Sequence, residues 1–179
     1  MKKIINIILL VILSTPVYSQ GFNDSILNQV LYDMVVDYTM KRDTTVNLYY
    51  TEVGAELHSK HSLEYMKTNG VRHMPSHTFM GMLPNDEAIL ILNDIGWDTT
   101  ETRYVGRGEI LARIPVRGET TYQKVAQIAL NEWLNSKGHM GTIKNMGMYI
   151  NNFAIGISSI CNEKTRSIDI ALTSFSLNE

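Results

Sequence analysis

The spacing of apolar residues changes once along this chain, and that change is the strongest constraint on its fold. Between residues 25 and 41 apolar side chains recur every three or four positions, which predicts an amphipathic helix. From residue 153 onward the period becomes two, as six residues show: Phe153, Ile155, Ile157, Ile168, Ile170 and Leu172. The turn-forming residues 162–165 lie between the two alternating runs. The sequence therefore predicts a closing antiparallel hairpin, with strands within 153–160 and 167–175 and these six side chains buried.

Further elements are predicted between the first helix and the hairpin. A second helix spans 51–68 and ends at Asn69-Gly70, and a short helix runs from Pro84-Asn85 to Gly96. Residues 103–116 indicate a strand with a turn or bulge near Gly106 and Gly108. The best-defined helix begins at a capping box that starts with Thr120 and ends near Gly138. Helices followed by a late sheet are typical of an α+β fold, with the sheet covered by helices.

Residues 1–19 have the order of a secretory signal peptide. Two lysines precede an apolar stretch, and small residues at Val17 and Ser19 follow it, so we expect cleavage after Ser19. The apolar stretch is shorter than the roughly 20 residues that a membrane-spanning helix needs. We therefore expect a secreted or extracytoplasmic protein that does not span the membrane, with residues 20–179 forming a single domain.

Charge and cysteine content narrow the classes of partner. Loss of Lys2 and Lys3 with the signal peptide leaves 14 basic side chains against 18 acidic ones, a formal charge of −4. This weak acidity argues against nucleic acid and against anionic membrane as the main partner. Cys161 is the only cysteine, so the exported domain has no internal disulfide and depends on its core for stability.

The candidates for chemistry are histidines and one acid. His73 and His77 follow the predicted helix stop and flank a proline, on a loop that can point imidazoles into a cleft. Glu109 is preceded by a glycine on the predicted strand, and His139 follows Gly138. His58 and His61 lie three residues apart on one face of a predicted helix, a spacing that also resembles that of metal ligands, but a solvated helix face is the default interpretation. Trp97 and Trp133 are predicted core residues.

Taken in order, these segments resemble the CAP superfamily, which comprises cysteine-rich secretory proteins, antigen 5 and pathogenesis-related-1 proteins. The resemblance covers most of residues 24–176. It lies in an ordered set of motifs: the helix and histidine loop from Met66 to His73, Ile-Gly-Trp97, Gly-Glu-Ile110, Trp-Leu-Asn-Ser-Lys-Gly-His139, Ile-Gly-Ile157 and the final strand at 168–175. Within that superfamily, the chain is similar to the cysteine-poor bacterial type.

The resemblance implies an α-β-α sandwich whose central, mostly antiparallel sheet is flanked by helices around a cleft. His73, Glu109 and His139 match the family's cleft histidines and its first glutamate, with His77 as a substitute for His73. The family's second glutamate falls here near Ser136, which is neither a base nor a carboxylate ligand. Two imidazoles and a carboxylate suit a divalent metal ion such as zinc or a polar ligand, with His73 and His139 as the metal ligands.

Two function classes follow from these residues. In the first, the protein is a secreted binding module whose cleft takes a small molecule, a lipid or an extracellular component of an envelope or host. In the second, it is a metal-assisted hydrolase in which Glu109 is the base for a water on a metal held by His73 and His139. The missing second acid favours the binding module.

Overall fold

The computed structural model describes residues 21–74, 83–100, 104–116, 120–139, 142–143 and 151–178. The predicted signal peptide at residues 1–19 lies outside these residues, and so does His77. The helices are α1 (Asp24–Arg42), α2 (Glu52–Gly54), α3 (Lys60–Asn69), α4 (Asn85–Asp94) and α5 (Tyr122–Asn135), with a π-helical segment (Ala55–Ser59) joining α2 to α3. The strands are β1 (Asn47–Tyr50), β2 (Tyr104–Pro115), β3 (Asn152–Asn162) and β4 (Ser167–Asn178).

The four strands form one mixed sheet in the order β1-β3-β4-β2. Strand β1 runs parallel to β3, whereas the β3–β4 and β4–β2 pairs are antiparallel. The predicted closing hairpin is therefore confirmed. The turn or bulge expected near Gly106 and Gly108 is wrong, because β2 pairs with β4 one residue to one residue along its full length. A side chain at Gly108 would come within 3.0 Å of Ser174 Oγ, so the glycine makes room for its cross-strand neighbour.

One face of the sheet packs against α1 and α5. The six alternating residues of the predicted hairpin are all buried in this layer, which confirms the period of two. Trp133 of α5 is fully buried among them, and its indole Nε1–H donates to Leu111 O at 3.1 Å. Thr121, one residue later than predicted, caps α5 by accepting from Lys124 N at 3.2 Å. This layer is the main hydrophobic core.

The opposite face packs against the π-helical segment, α3 and α4. Because successive strand residues point to opposite faces, a second set of β-strand side chains turns toward these helices. Two smaller apolar clusters form here, with these strand members: Val105, Leu111, Ala154, Ala171, Phe175 and Leu177. The fold is thus α+β, with a mostly antiparallel sheet between two helical layers, as the sequence predicted.

The π-helical segment lies directly on the sheet and changes which side chains are buried. A Cβ on Gly156 of β3 would clash with the Ala55 backbone and come within 2.6 Å of Gly54 C. A π-helix uses more residues per turn than an α-helix, so it rotates the buried face relative to regular spacing. His58, expected on a solvated face, is consequently buried with 2% of its surface exposed, whereas His61 is exposed.

The prediction that Trp97 is a core residue is only partly correct. Trp97 is half-buried rather than a full core residue, and its ring packs edge-on against Tyr49 with the centroids 5.5 Å apart. Strand β1 is too short to leave a clear alternating pattern and was not predicted. Across the described ranges, none of the helices has both the length and the apolar content needed to cross a membrane.

Candidate functional site

Glu109 occupies the centre of the candidate site. It lies on β2 and pairs in register with Thr173 of β4, pointing to the sheet face covered by α3. Only 2% of its side chain is exposed. Its Oε1 lies 2.7 Å from Nδ1 of His73, and its Oε2 accepts a hydrogen bond from the Ser62 hydroxyl. Both carboxylate oxygens of a nearly buried acid are therefore hydrogen-bonded, as burial of a charged group requires.

His73 reaches Glu109 because the chain turns sharply after α3. Gly70 ends the helix with a φ of 73°, a left-handed conformation that favours glycine, and its N–H donates to Met66 O at 3.0 Å. Arg72 N–H then donates to Gly70 O at 2.8 Å, which tightens the turn. About 40% of the His73 side chain stays exposed. The imidazole is thus fixed on one side by the carboxylate and open to solvent on the other.

His139 approaches the same place from the segment after α5. Its ring centroid lies 6.1 Å from that of His73, with the two rings at 75°. A local turn holds it: its N–H donates to Ser136 Oγ at 3.4 Å, and Thr142 N–H donates to its carbonyl at 3.0 Å. Burial, and secondarily the neighbouring His73, lower the pKa of His139. The His139 ring is therefore favoured as a neutral imidazole.

The structure thus brings together His73, Glu109 and His139, three residues that the sequence placed on separate segments. His77, the named substitute, lies outside the described residues. The Ser136 hydroxyl accepts a hydrogen bond from the His139 backbone N–H, near the position where the resemblance implies a second acid. Ser62 was not among the predicted site residues. Its place beside Leu63, on the face that α3 buries, was the available signal.

The donor set limits what the site can hold. A metal-bound histidine commonly donates its second ring N–H to a carboxylate, which matches the contact between His73 Nδ1 and Glu109. That arrangement leaves Nε2 of His73, together with the neutral ring of His139, as candidate donors to an ion. The described part of the chain has no group of three or more His, Cys, Asp or Glu side chains placed to hold a metal. An ion held by these two histidines alone would have to complete its coordination with water or an external ligand.

A second cluster of polar side chains, centred on His58, lies on the same face of the sheet as Glu109. The ring of His58 is 3.2 Å from Arg107 Nη1 through Nδ1 and 3.3 Å from Glu87 Oε2 through Nε2. Its ring also packs against Phe175, with the centroids 5.3 Å apart. Arg107 precedes Glu109 by two residues on β2, so the two side chains share a face. On this face, β2 therefore carries a polar side chain at Arg107 as well as at Glu109.

Comparison with known proteins adds one structural likeness. The sequence matches no protein-family model and no curated protein. Among solved structures, the chain is similar to an outer surface protein from Borrelia burgdorferi. The TM-score is 0.47 and the sequence identity is 20%, over 84% of this chain and 92% of that one.

Proposed function

We propose that this protein is a secreted binding module of the CAP type, whose cleft is formed by His73, Glu109 and His139. The observation that carries the proposal is the contact between a nearly buried carboxylate and a solvent-open imidazole, with a second imidazole 6.1 Å away between ring centroids. Side chains held at one point by a strand, a post-helix loop and a second post-helix turn are typical of a ligand site.

The chemistry of the three residues favours a ligand that offers hydrogen-bond donors or a cation. Glu109 contacts Nδ1 of His73 and so fixes the orientation of its ring. His73 is the most solvent-exposed of the three site residues. The ring of His139 is neutral near pH 7, since burial lowers its pKa, so it presents one donor and one acceptor nitrogen. A small hydroxylated molecule, a lipid headgroup or an exposed group of an extracellular component could satisfy this pattern.

A divalent ion such as zinc fits the same residues. His73 and His139 would hold it, and the ion would supply an open coordination position for an external ligand. Glu109 would act on the histidine, fixing the orientation of its ring and raising its basicity. Two protein ligands predict weaker binding than the three or four found in established zinc sites.

The hydrolase alternative, with Glu109 as the base, has less support from this geometry. Both oxygens of Glu109 already accept hydrogen bonds, from Ser62 and from His73. A water molecule would have to reach an oxygen that already accepts a hydrogen bond, in a place where only 2% of the side chain is exposed, before it could be deprotonated. Ser136 supplies no second acid for proton transfer. Ligand binding needs neither of these steps, so it is the function that the site supports best.

The proposal is tested on a protein covering residues 20–179, freed of metal with chelator. Zinc chloride is titrated by calorimetry into the wild type, His73→Ala, His139→Ala and His61→Ala, the last being an exposed histidine on α3. The same proteins are then incubated with a bacterial envelope lipid extract and with a mixture of small polar metabolites, and analysed by native mass spectrometry. We expect zinc or an adduct on the wild type and on His61→Ala, lost in the two site variants. Equal behaviour of all four proteins in every arm would overturn the proposal.

The hydrolase alternative has its own test on the same samples. Ester and amide substrates are offered to the zinc-loaded wild type, to chelator-treated wild type and to Glu109→Gln. Turnover that requires both metal and Glu109 would favour the hydrolase over the binding module. Binding without turnover supports the binding module.

A further inference from the structure

The hydroxyl of Ser62 makes a contact that the proposed function does not use. Ser62 is fully buried on α3, and it donates a hydrogen bond to Oε2 of Glu109. The other oxygen of the same carboxylate, Oε1, lies 2.7 Å from Nδ1 of His73. Glu109 therefore bridges a buried serine on one side and the most exposed residue of the cleft on the other. A buried carboxylate oxygen needs donors, and the serine supplies one from a helix packed on the sheet.

This bridge decides which nitrogen of His73 carries the hydrogen. An ionised carboxylate accepts hydrogen bonds and cannot donate one. Nδ1 of His73 must then carry the hydrogen, which leaves the lone pair on Nε2. In a neutral histidine the hydrogen bond made by one ring nitrogen sets the state of the other.

We infer that Ser62 is a positioning residue of the cleft. By holding Oε2, it keeps the Glu109 carboxylate turned so that Oε1 faces Nδ1, and it thereby keeps Nε2 of His73 as an acceptor for ligand or metal. The inference rests on the proposed function for what Nε2 binds, but not for the state of the ring. Without the serine hydroxyl, Oε2 loses a donor in a place with 2% exposure, and the carboxylate gains from rotating away from its present orientation toward His73.

Ser59 provides a matched control on the same buried helix face. It is also fully buried, and it lies three residues before Ser62. Its hydroxyl is hydrogen-bonded to Gly156 O and to Thr173 Oγ1, both at 2.9 Å, and not to Glu109. Ser59→Ala therefore removes a buried hydroxyl that also contacts the sheet, without changing the carboxylate. Any general effect of losing a buried serine should appear in both variants.

The test is the tautomer of His73 in the ligand-free, metal-free domain. Nitrogen-15 spectra of the imidazole rings distinguish a protonated from an unprotonated ring nitrogen, and are recorded at a pH where the ring is neutral. In the wild type and Ser59→Ala we expect a single form with hydrogen on Nδ1. In Ser62→Ala we expect a mixture in which the form with hydrogen on Nε2 is clearly populated. An unchanged single form in Ser62→Ala would overturn the inference.

The wild-type spectrum keeps the inference testable even if Ser62→Ala does not fold. Hydrogen on Nε2 of His73 in the wild type would by itself refute the arrangement. The outcome is also separable from the proposed function, since neither zinc nor ligand is present. A tautomer change in Ser62→Ala together with no zinc or ligand binding would leave the inference standing and refute the function. Binding by the wild type with an unchanged tautomer in Ser62→Ala would refute the inference alone.

Discussion

Arg113 and Asp169 form a two-point ion pair between β2 and β4. Arg113 Nε lies 2.6 Å from Oδ1 of Asp169, and Nη2 lies 2.8 Å from Oδ2. The carboxylate is fully buried, and the hydrogen bonds to it raise the pKa of Arg113. Nη2 also donates to Met66 O at 3.3 Å, near the end of α3. The pair therefore joins the sheet to the helix whose end leads into the His73 loop.

Loss of this arginine should be costly. Arg113→Met leaves Asp169 buried without its ionic partner, and we expect the free energy of unfolding to fall by about 3–5 kcal/mol. Urea denaturation measures the difference. Lys60→Met is the control, because its ion pair with Glu56 is exposed on both sides and should contribute little to stability. Equal losses in the two variants would contradict the assignment.

Substitutions of Trp133 test how much the main core contributes to the free energy of unfolding. Trp133→Ala removes a fully buried side chain and should cost about 3–5 kcal/mol of unfolding free energy. Trp133→Phe keeps a large ring but leaves Leu111 O without the indole donor, which should add a penalty of about 1–3 kcal/mol. Thermal or urea unfolding followed by circular dichroism gives both values. A Phe variant as stable as the wild type would show that the indole hydrogen bond is dispensable.

The stability of a Gly156 variant tests the close contact between the π-helical segment and the sheet. In Gly156→Ala the new methyl would meet the backbone of Gly54 and Ala55, which cannot move aside as a flexible side chain could. We expect a loss of at least the roughly 1–3 kcal/mol typical of overpacking, up to failure to fold, because backbone atoms cannot move aside. Gly138→Ala is the control, since the nearest atom to its added methyl is Ser136 Oγ at 4.0 Å. Similar stability of the two variants would contradict the close approach.

The fold could be predicted where one periodic signal dominated. Alternation from Phe153 to Leu172 located the hairpin and its buried face, since a strand with one buried face must follow a period of two. The second helix was located, but not its buried side. The π-helical segment rotates the buried face of the helix there. This segment packs closely on the backbone of Gly156, roughly a hundred residues later, and spacing within the helix cannot reveal that contact.

The candidate site could be predicted in part for a related reason. His73, Glu109 and His139 stood out because each follows a glycine-marked helix end or a glycine on a strand. Ser62 and His58 did not, because a buried polar residue on a helix is recognised only when its partner on the sheet is known. Contacts between distant segments carry no local signature.

The pH dependence of stability should report on His139. Burial and the nearby His73 lower the pKa of His139 in the folded state, whereas the unfolded residue has an ordinary value of about 6.5. As the pH falls below about 6.5, the unfolded chain therefore binds a proton that the folded protein does not, and stability declines until the folded pKa is passed. His139→Gln should remove this part of the decline, and His73→Ala should reduce it by removing the smaller of the two causes.

Urea unfolding between pH 7.5 and pH 5, with chelator present, measures the slope of stability against pH, and the exposed His61→Gln is the control. A slope equally steep in the wild type, His61→Gln and His139→Gln would show that His139 keeps its ordinary pKa in the folded protein, and would remove the argument that it presents a neutral ring to the cleft.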